Sequence, residues 1–331
     1  MSLSVRCLSA LITLAPAILL AADPSAVVFT DPAKAGVEYE LQGEYLATVK
    51  TGEKELKVGV QIIALGNEAF QAVGFIGGLP GDGWSRGDKT HSTEGKLEDG
   101  VLRFTTAHDD GKVTAEVKDG SMVVYLGDLK VAEFAKAHRQ SPTLGAKPPE
   151  GAVVLFDGSS TDAWEGGEII DGKWLGAQNI STTEKFGDHH LHIEFQTPFM
   201  PTARGQGRGN SGVYVQSRYE VQVLDSFGLE GKNNECGGIY SIAEPRVNMC
   251  FPPLTWQTYD IDFTAARYDA SGNKTKNARI SVRHNGVEIH SDVELTHGTP
   301  GRNKEGPEPD GLFLQNHGNP VVFRNIWVVK K

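Results

Sequence analysis

The sequence predicts an all-β protein, an antiparallel sandwich of jelly-roll type preceded by a smaller β domain. Three observations lead there. Apolar and polar residues alternate with period two in strand-length runs, as in YELQGEYLATV at 39–49 and HHLHIEFQ at 189–196. Turn signals separate the runs: 39 of the 331 residues are glycine, and Asp99-Gly100, Asp119-Gly120 and Asn285-Gly286 are pairs suited to tight hairpin turns. No segment of useful length in the second half carries a helical period, which leaves sheet packed on sheet as the economical architecture.

The first 22 residues stand outside the fold. Arg6 supplies a positive start, 8–20 is an almost unbroken apolar run, and Ala21-Ala22 is a small-residue end. This is the pattern of a secretory signal peptide cut near Ala22, so the mature chain is expected in the periplasm or outside the cell. The run is short for a membrane span, and no later stretch is apolar enough to cross a bilayer. Cys7 precedes the run rather than closing it, which does not support lipoprotein cleavage.

Residues 23–140 then form the smaller β domain. Strands are expected at 39–49, 57–65 and 69–75, followed by the turn-rich GGLPGDG loop ending at Trp84. Hairpin strands follow at 95–98, 100–106, 112–117 and 121–125. Residues 129–138 suit either a short closing helix or a final strand. His108 with Asp109-Asp110 is the solvated end of a hairpin rather than a metal site, and no catalytic constellation stands out. SPTLGAKPPE at 141–150 holds three prolines, which can continue neither a helix nor a central strand, and marks the domain boundary as a linker.

The second domain, 151–331, opens with a buried strand at 153–156, a turn at Asp157-Gly158 and a core aromatic at Trp164. Trp174 and Trp327 also suit a core better than a sugar platform. Further strands are expected at 173–175, 180–184, 189–196, 256–263, 278–284 and 287–290, with 311–315 and 321–330 closing the domain. CGGIY at 236–240 begins another strand, 246–253 is a crossover loop, and 295–310 is a long polar loop.

Composition excludes some partners. The formal net charge is −10 and no Lys/Arg cluster makes a basic stripe, so nucleic acid is disfavoured. Signal removal leaves Cys236 and Cys250; export permits a disulfide between them, and two buried thiols are the equal alternative. No Cys/His pair has zinc-finger spacing.

Parity supplies the candidate site. In GNSGVYVQSRYEVQVLDSFG, 209–228, two short strands flank Ser217-Arg218. Val213, Val215, Tyr219, Val221 and Val223 share the core side. Tyr214, Gln216, Glu220 and Gln222 share the other, which is either a solvated outer face or a groove lined by an aromatic, a carboxylate and an amide, the set a sugar site needs. On 189–196, Leu191, Ile193 and Phe195 face the core, leaving His190, His192, Glu194 and Gln196 on the polar side.

LFDGSSTDAW, the 209–228 stretch, CGGIY, TWQTYDIDF, NGVEIH and LFLQNHGNPVVFRNIWV occur in this order. Together they resemble the 3-keto-disaccharide hydrolase family, the 3-keto-glucoside lyase/hydratase domains, over 151–331. The resemblance implies a concanavalin A-like jelly roll with a sugar site on its concave face and a small 3-keto-glycoside as substrate. It also implies a chemistry. A C3 ketone acidifies the C2 proton; a base removes it, the aglycone leaves from C1, and water adds back. Such a site needs a base, a donor at the C3 oxygen and an acid for the leaving oxygen.

Glu220, Glu194 and His317 are the catalytic candidates on this reading. Glu220 could serve as base, acid or metal ligand, and the same three residues are the candidates for a divalent metal, whose presence the sequence leaves open. Gln222, Tyr214, Arg208, Asn210, Asp225 and His192 are the expected substrate-binding residues, with Tyr214 as platform. Asp225 also suits an Asx turn before Ser226. The family motif around His317 usually reads Gln-Asp-His-Gly; this chain has Asn316, which weakens any orienting or metal role of that position. A paired-carboxylate glycanase and a non-catalytic carbohydrate-binding module are the alternatives, and Gln222, where a second acid would be wanted, argues against the former.

Overall fold

The computed structural model describes residues 27–51, 54–108 and 111–331. The signal-peptide segment and the Asp109-Asp110 turn lie outside the described residues. The regular structure is almost entirely antiparallel β-sheet, in two units.

The first unit is a closed eight-stranded barrel. Its strands pair in the order Gly43–Thr51, Leu129–Ala137, Ser121–Leu126, Gly111–Lys118, Val101–His108, Thr90–Glu98, Ala69–Ile76 and Lys54–Gly66, the last returning to the first. Closure leaves no unpaired edge. Residues 129–137 are therefore strand, because they complete the ring. Asp99 and Gly100 take φ of 52° and 75°, and Asp119 and Gly120 take 50° and 77°, the left-handed pair that a two-residue hairpin turn requires. The expected strand at 39–49 starts late: Gly36–Leu41 is a short helix that packs Leu41 into the barrel core beside Tyr45, Ile62 and Phe70.

The second unit is a sandwich. Its eight-stranded sheet has Val322–Lys330, His189–Gln196 and Gln257–Thr264 at its centre, with Ala278–His284 and Val287–Leu295 outside them. The five-stranded sheet runs Trp164–Glu165, Ile180–Thr182, Phe313–Leu314, Ser211–Val215 and Tyr219–Val223. Leu191, Ile193 and Phe195 from one sheet meet Val213, Val215 and Val221 from the other in a single apolar core. CGGIY does not form a regular strand. It bridges at Ile239 to Val221 and covers the edge of the Tyr219–Val223 strand, where Gly238 O accepts from Gln222 N at 2.9 Å. Cys236 and Cys250 are free thiols buried in the sandwich core; Cys236 Sγ lies 3.2 Å from Tyr259 Oη.

Barrel and sandwich are packed together. Phe199 and Leu254 of the sandwich complete the barrel's apolar cluster, and Phe227 joins Ile63, Val73 and Phe75 in a smaller one. The Pro-rich 141–150 segment is strapped across the outer face of the eight-stranded sheet. Ser141 Oγ lies 2.6 Å from Thr258 Oγ1, Thr143 Oγ1 donates to Asp260 at 2.7 Å, and Trp327 Nε1 donates to Ala146 O at 3.2 Å. Prolines bar this stretch from a backbone ladder, so side-chain bonds hold it instead.

Candidate active site

Ser211–Val215 and Tyr219–Val223 pair in a register that sets Tyr214 opposite Glu220 and Gly212 opposite Gln222. The core side is filled by valines and Tyr219, so Tyr214, Glu220 and Gln222 turn to the opposite face. That face is not washed by water. Glu220 is only 3% exposed, and Tyr214 and Gln222 only 1%. Loops close over it. Arg218, on the turn between the strands, donates to the carbonyls of Lys304 and Glu308 at 3.1 and 2.9 Å and so pins the long polar loop. Thr299 of that loop accepts from Glu220 N at 2.9 Å, and Pro300 and Gly301 form part of the pocket wall. What remains is a cavity of ≈120 Å³ lined by Tyr214, Glu220 and Gln222, with Asn210, Gln315 and His317.

Glu220 has one side-chain partner among the described residues, the Tyr214 hydroxyl, which donates to Oε2 at 2.9 Å. Its Oε1 lies over Gly212. A Cβ on residue 212 would sit 2.2 Å from that oxygen, so only glycine leaves room for the carboxylate. Burial pushes the Glu220 carboxyl up to about 8, and the bond from Tyr214 draws it back only in part. Burial also raises the Tyr214 phenol, with the Glu220 charge adding to it. Tyr214 Oη has a second acceptor, Pro300 O at 3.3 Å. A protonated Glu220 can therefore donate to Tyr214 while Tyr214 donates to Pro300, which gives the pair two bonded proton states.

The rest of the wall is amide. Gln222 Nε2 donates to Asn210 Oδ1 at 3.0 Å, and Asn210 Nδ2 donates to the Gln206 carbonyl at 2.8 Å. These bonds leave Gln222 Oε1 buried with no partner, and His317 Nδ1 is in the same condition. Buried unpaired polar atoms at a cavity wall are places for a ligand's hydrogen bonds. Asn316 holds the His317 turn: its Oδ1 accepts from Gly318 N at 2.8 Å, a bond that a carboxylate would make equally well.

Several expected site residues lie elsewhere. Glu194 and His192 share the polar parity but sit on the other sheet, beneath the 141–150 strap. Glu194 takes bonds from Gly145 N at 2.5 Å, Arg324 Nε at 2.6 Å and Asn325 Nδ2 at 2.8 Å. Burial works to raise its carboxyl, but the bonds from His192, Asn325, Gly145 and Arg324 outweigh it and hold the group at about 2. His192 is desolvated too, yet Asp260, 2.6 Å from Nδ1, and Glu194 raise it. Arg208 pairs with Asp225 at 2.6 Å and donates to Ala64 O at 3.2 Å, so it ties the sandwich to the barrel. Asp225 caps its own turn, accepting from Phe227 N at 3.3 Å. Parity says which face a side chain takes and cannot say to which sheet the strand belongs.

The three metal candidates are divided between the two sheets. No group of three or more His, Cys, Asp or Glu able to hold an ion occurs among the described residues. The cavity offers one carboxylate, one imidazole and neutral amides, which does not fit a divalent-ion site.

Gln206, Gln315, Tyr240 and Gly212 also shape the cavity and were not singled out from sequence. Gly212, a glycine inside a strand, carried a legible signal of close approach. Gln206 lies in an aperiodic Gly-rich loop and carried none.

Comparison with known proteins bears on the sandwich as a whole. A family model, the 3-keto-alpha-glucoside-1,2-lyase-like domain, matches residues 151–329. The solved structure of a candidate glycosyl hydrolase from Parabacteroides distasonis is 33% identical, with a TM-score of 0.51, over 55% of this chain and 85% of that one. A second candidate glycosyl hydrolase from the same organism is 18% identical with a TM-score of 0.41, over 55% of this chain and 94% of that one. No curated protein matches.

Proposed function

This chain belongs to the family of 3-keto-alpha-glucoside-1,2-lyase-like domains, and from that premise we propose that its sandwich cleaves 3-keto-glycosides at the Glu220 cavity. The family and the 33%-identical neighbour make it a carbohydrate-active enzyme. The observation that carries the finer reading is Glu220, a buried carboxyl raised to about 8 over a glycine floor. A base that strong suits a carbon acid beside a ketone. In the proposed step the ionised Glu220 takes the C2 proton. The C2–H pair forms the enolate, with its charge on the C3 oxygen. Collapse of the enolate breaks the C1–O bond and the aglycone leaves with its electron pair, taking a proton from His317. Water then adds across the resulting double bond, which completes a net hydrolysis. Tyr214 holds Glu220 in place, and Gln222 Oε1 accepts a sugar hydroxyl.

A paired-carboxylate glycosidase would need a second acid about 5–9.5 Å from the first. Among the described residues Glu220 is the one carboxylate lining the cavity, which favours the keto reading. The proposal includes export, from the leader-like pattern of residues 1–22. The test is incubation of the purified protein with 3-keto-trehalose and a methyl 3-keto-glucoside. Aglycone release is expected; no release from either, or equal cleavage of the unoxidised glycosides, refutes it.

A further inference from the structure

A second cavity, of ≈480 Å³, opens where the barrel meets the sandwich. Its barrel side carries Phe75 and Trp84, whose rings stand edge to face with centroids 5.3 Å apart. Around them lie groups that both donate and accept. Gln71 Nε2 donates to Ser92 Oγ at 2.8 Å, which leaves the serine proton and the Gln71 carbonyl for another partner. Glu235 enters from the sandwich side, its Oε2 engaged by Gly231 N at 2.7 Å. The Trp84 ring itself is part-exposed along this wall.

Charge narrows the ligand. Arg86 is occupied by the carbonyls of Glu230, Gly231 and Pro245, at 3.0, 2.6 and 2.9 Å. Lys232 pairs with Glu230 at 3.3 Å, while Asp88 and Glu235 add negative charge to the wall. An anion would find little free cation here. Aromatic surface and a mixed hydroxyl, amide and carboxylate rim fit a neutral polyhydroxylated molecule with an apolar ring face. We infer that this junction is a second, non-catalytic saccharide-binding site, with Trp84 as its aromatic platform. It stands independently of the keto chemistry assigned to Glu220. Its placement gives the barrel a task beside catalysis. The sandwich segment that forms one wall continues from Glu235 to Tyr240, a wall residue of the Glu220 cavity.

The test is calorimetric titration of the full chain with trehalose and with maltotriose. Saturable binding of at least one is expected. Trp84→Ala removes the platform, so it should weaken that binding about five- to tenfold. Thr90→Trp, at an exposed strand position, should fill the cavity and abolish binding while leaving the melting temperature unchanged. Glu220→Gln should bind as the parent does. Absence of saturable binding by both sugars overturns the inference. So does binding that survives both junction variants, binding lost only in Glu220→Gln, or tighter binding of inorganic phosphate than of either sugar.

Discussion

Glu194 and Glu220 are both buried glutamates on the outward face of a strand in the same sandwich. Their neighbours along the chain point into one shared core. Yet Glu194 is held at about 2 and Glu220 is raised to about 8. Burial works to raise both, and in Glu194 its partners overcome it. Glu194 meets a guanidinium, an amide, a backbone N–H and an imidazole beneath the strap. Glu220 meets one phenol and an open cavity. A desolvated carboxylate surrounded by donors is structure, whereas one left almost alone retains free energy for a reaction.

The widest break in that comparison should come from Glu220→Gln. With a 3-keto-glycoside as substrate, turnover should fall about a hundred- to ten-thousandfold, as expected when a general base is removed. Steady-state kinetics on protein with a native circular dichroism spectrum would measure it. Glu194→Gln should do the reverse. Denaturant unfolding should show a loss of about 3–5 kcal/mol, because Arg324 is left without its buried anion, while turnover per folded molecule is unchanged.

Gly212→Ala sharpens the contrast without touching a titrating group. The added methyl would displace the Glu220 carboxylate, and kcat/KM should drop about a hundredfold through misplacement alone.

The pH dependence of stability separates the two glutamates by sign. Glu220 titrates near 8 folded and near its ordinary 4.5 unfolded, so its contribution is intact below 4.5 and is lost as pH rises through 8. Glu220→Gln should therefore be more stable than the parent at pH 8, with the gap closing towards pH 4.5. Glu194 stabilises above 4.5, and its contribution is lost as pH falls towards 2. The smallest effect is expected from Tyr214→Phe. It removes the bond that lowers Glu220, so the rising limb of the pH–rate profile should move up by about half to one pH unit.

Much of this was legible in the sequence. Period two gave the strands, the Asp-Gly and Asn-Gly pairs gave the hairpins, and parity put Tyr214, Glu220 and Gln222 on one face. The same parity put Glu194 beside them in error, since a sandwich has two outward faces and alternation is blind to which one a strand presents. The strap was hidden for a related reason. Its prolines announce a break in regular structure, but the bonds of Ser141 and Thr143 to Thr258 and Asp260 depend on a strand more than a hundred residues away. Loop-borne residues such as Gln206 have no period to betray them.

The strap also bears on how portable the sandwich is. Family likeness begins at residue 151, yet residues 141–150 roof His192, Glu194 and Trp327. A copy recombined into another protein at residue 151 would arrive with that charged patch stripped to solvent and Glu194 short of a ligand. A unit cut at Ser141 would keep that roof, so the strap travels with the sandwich although it lies upstream of the family likeness.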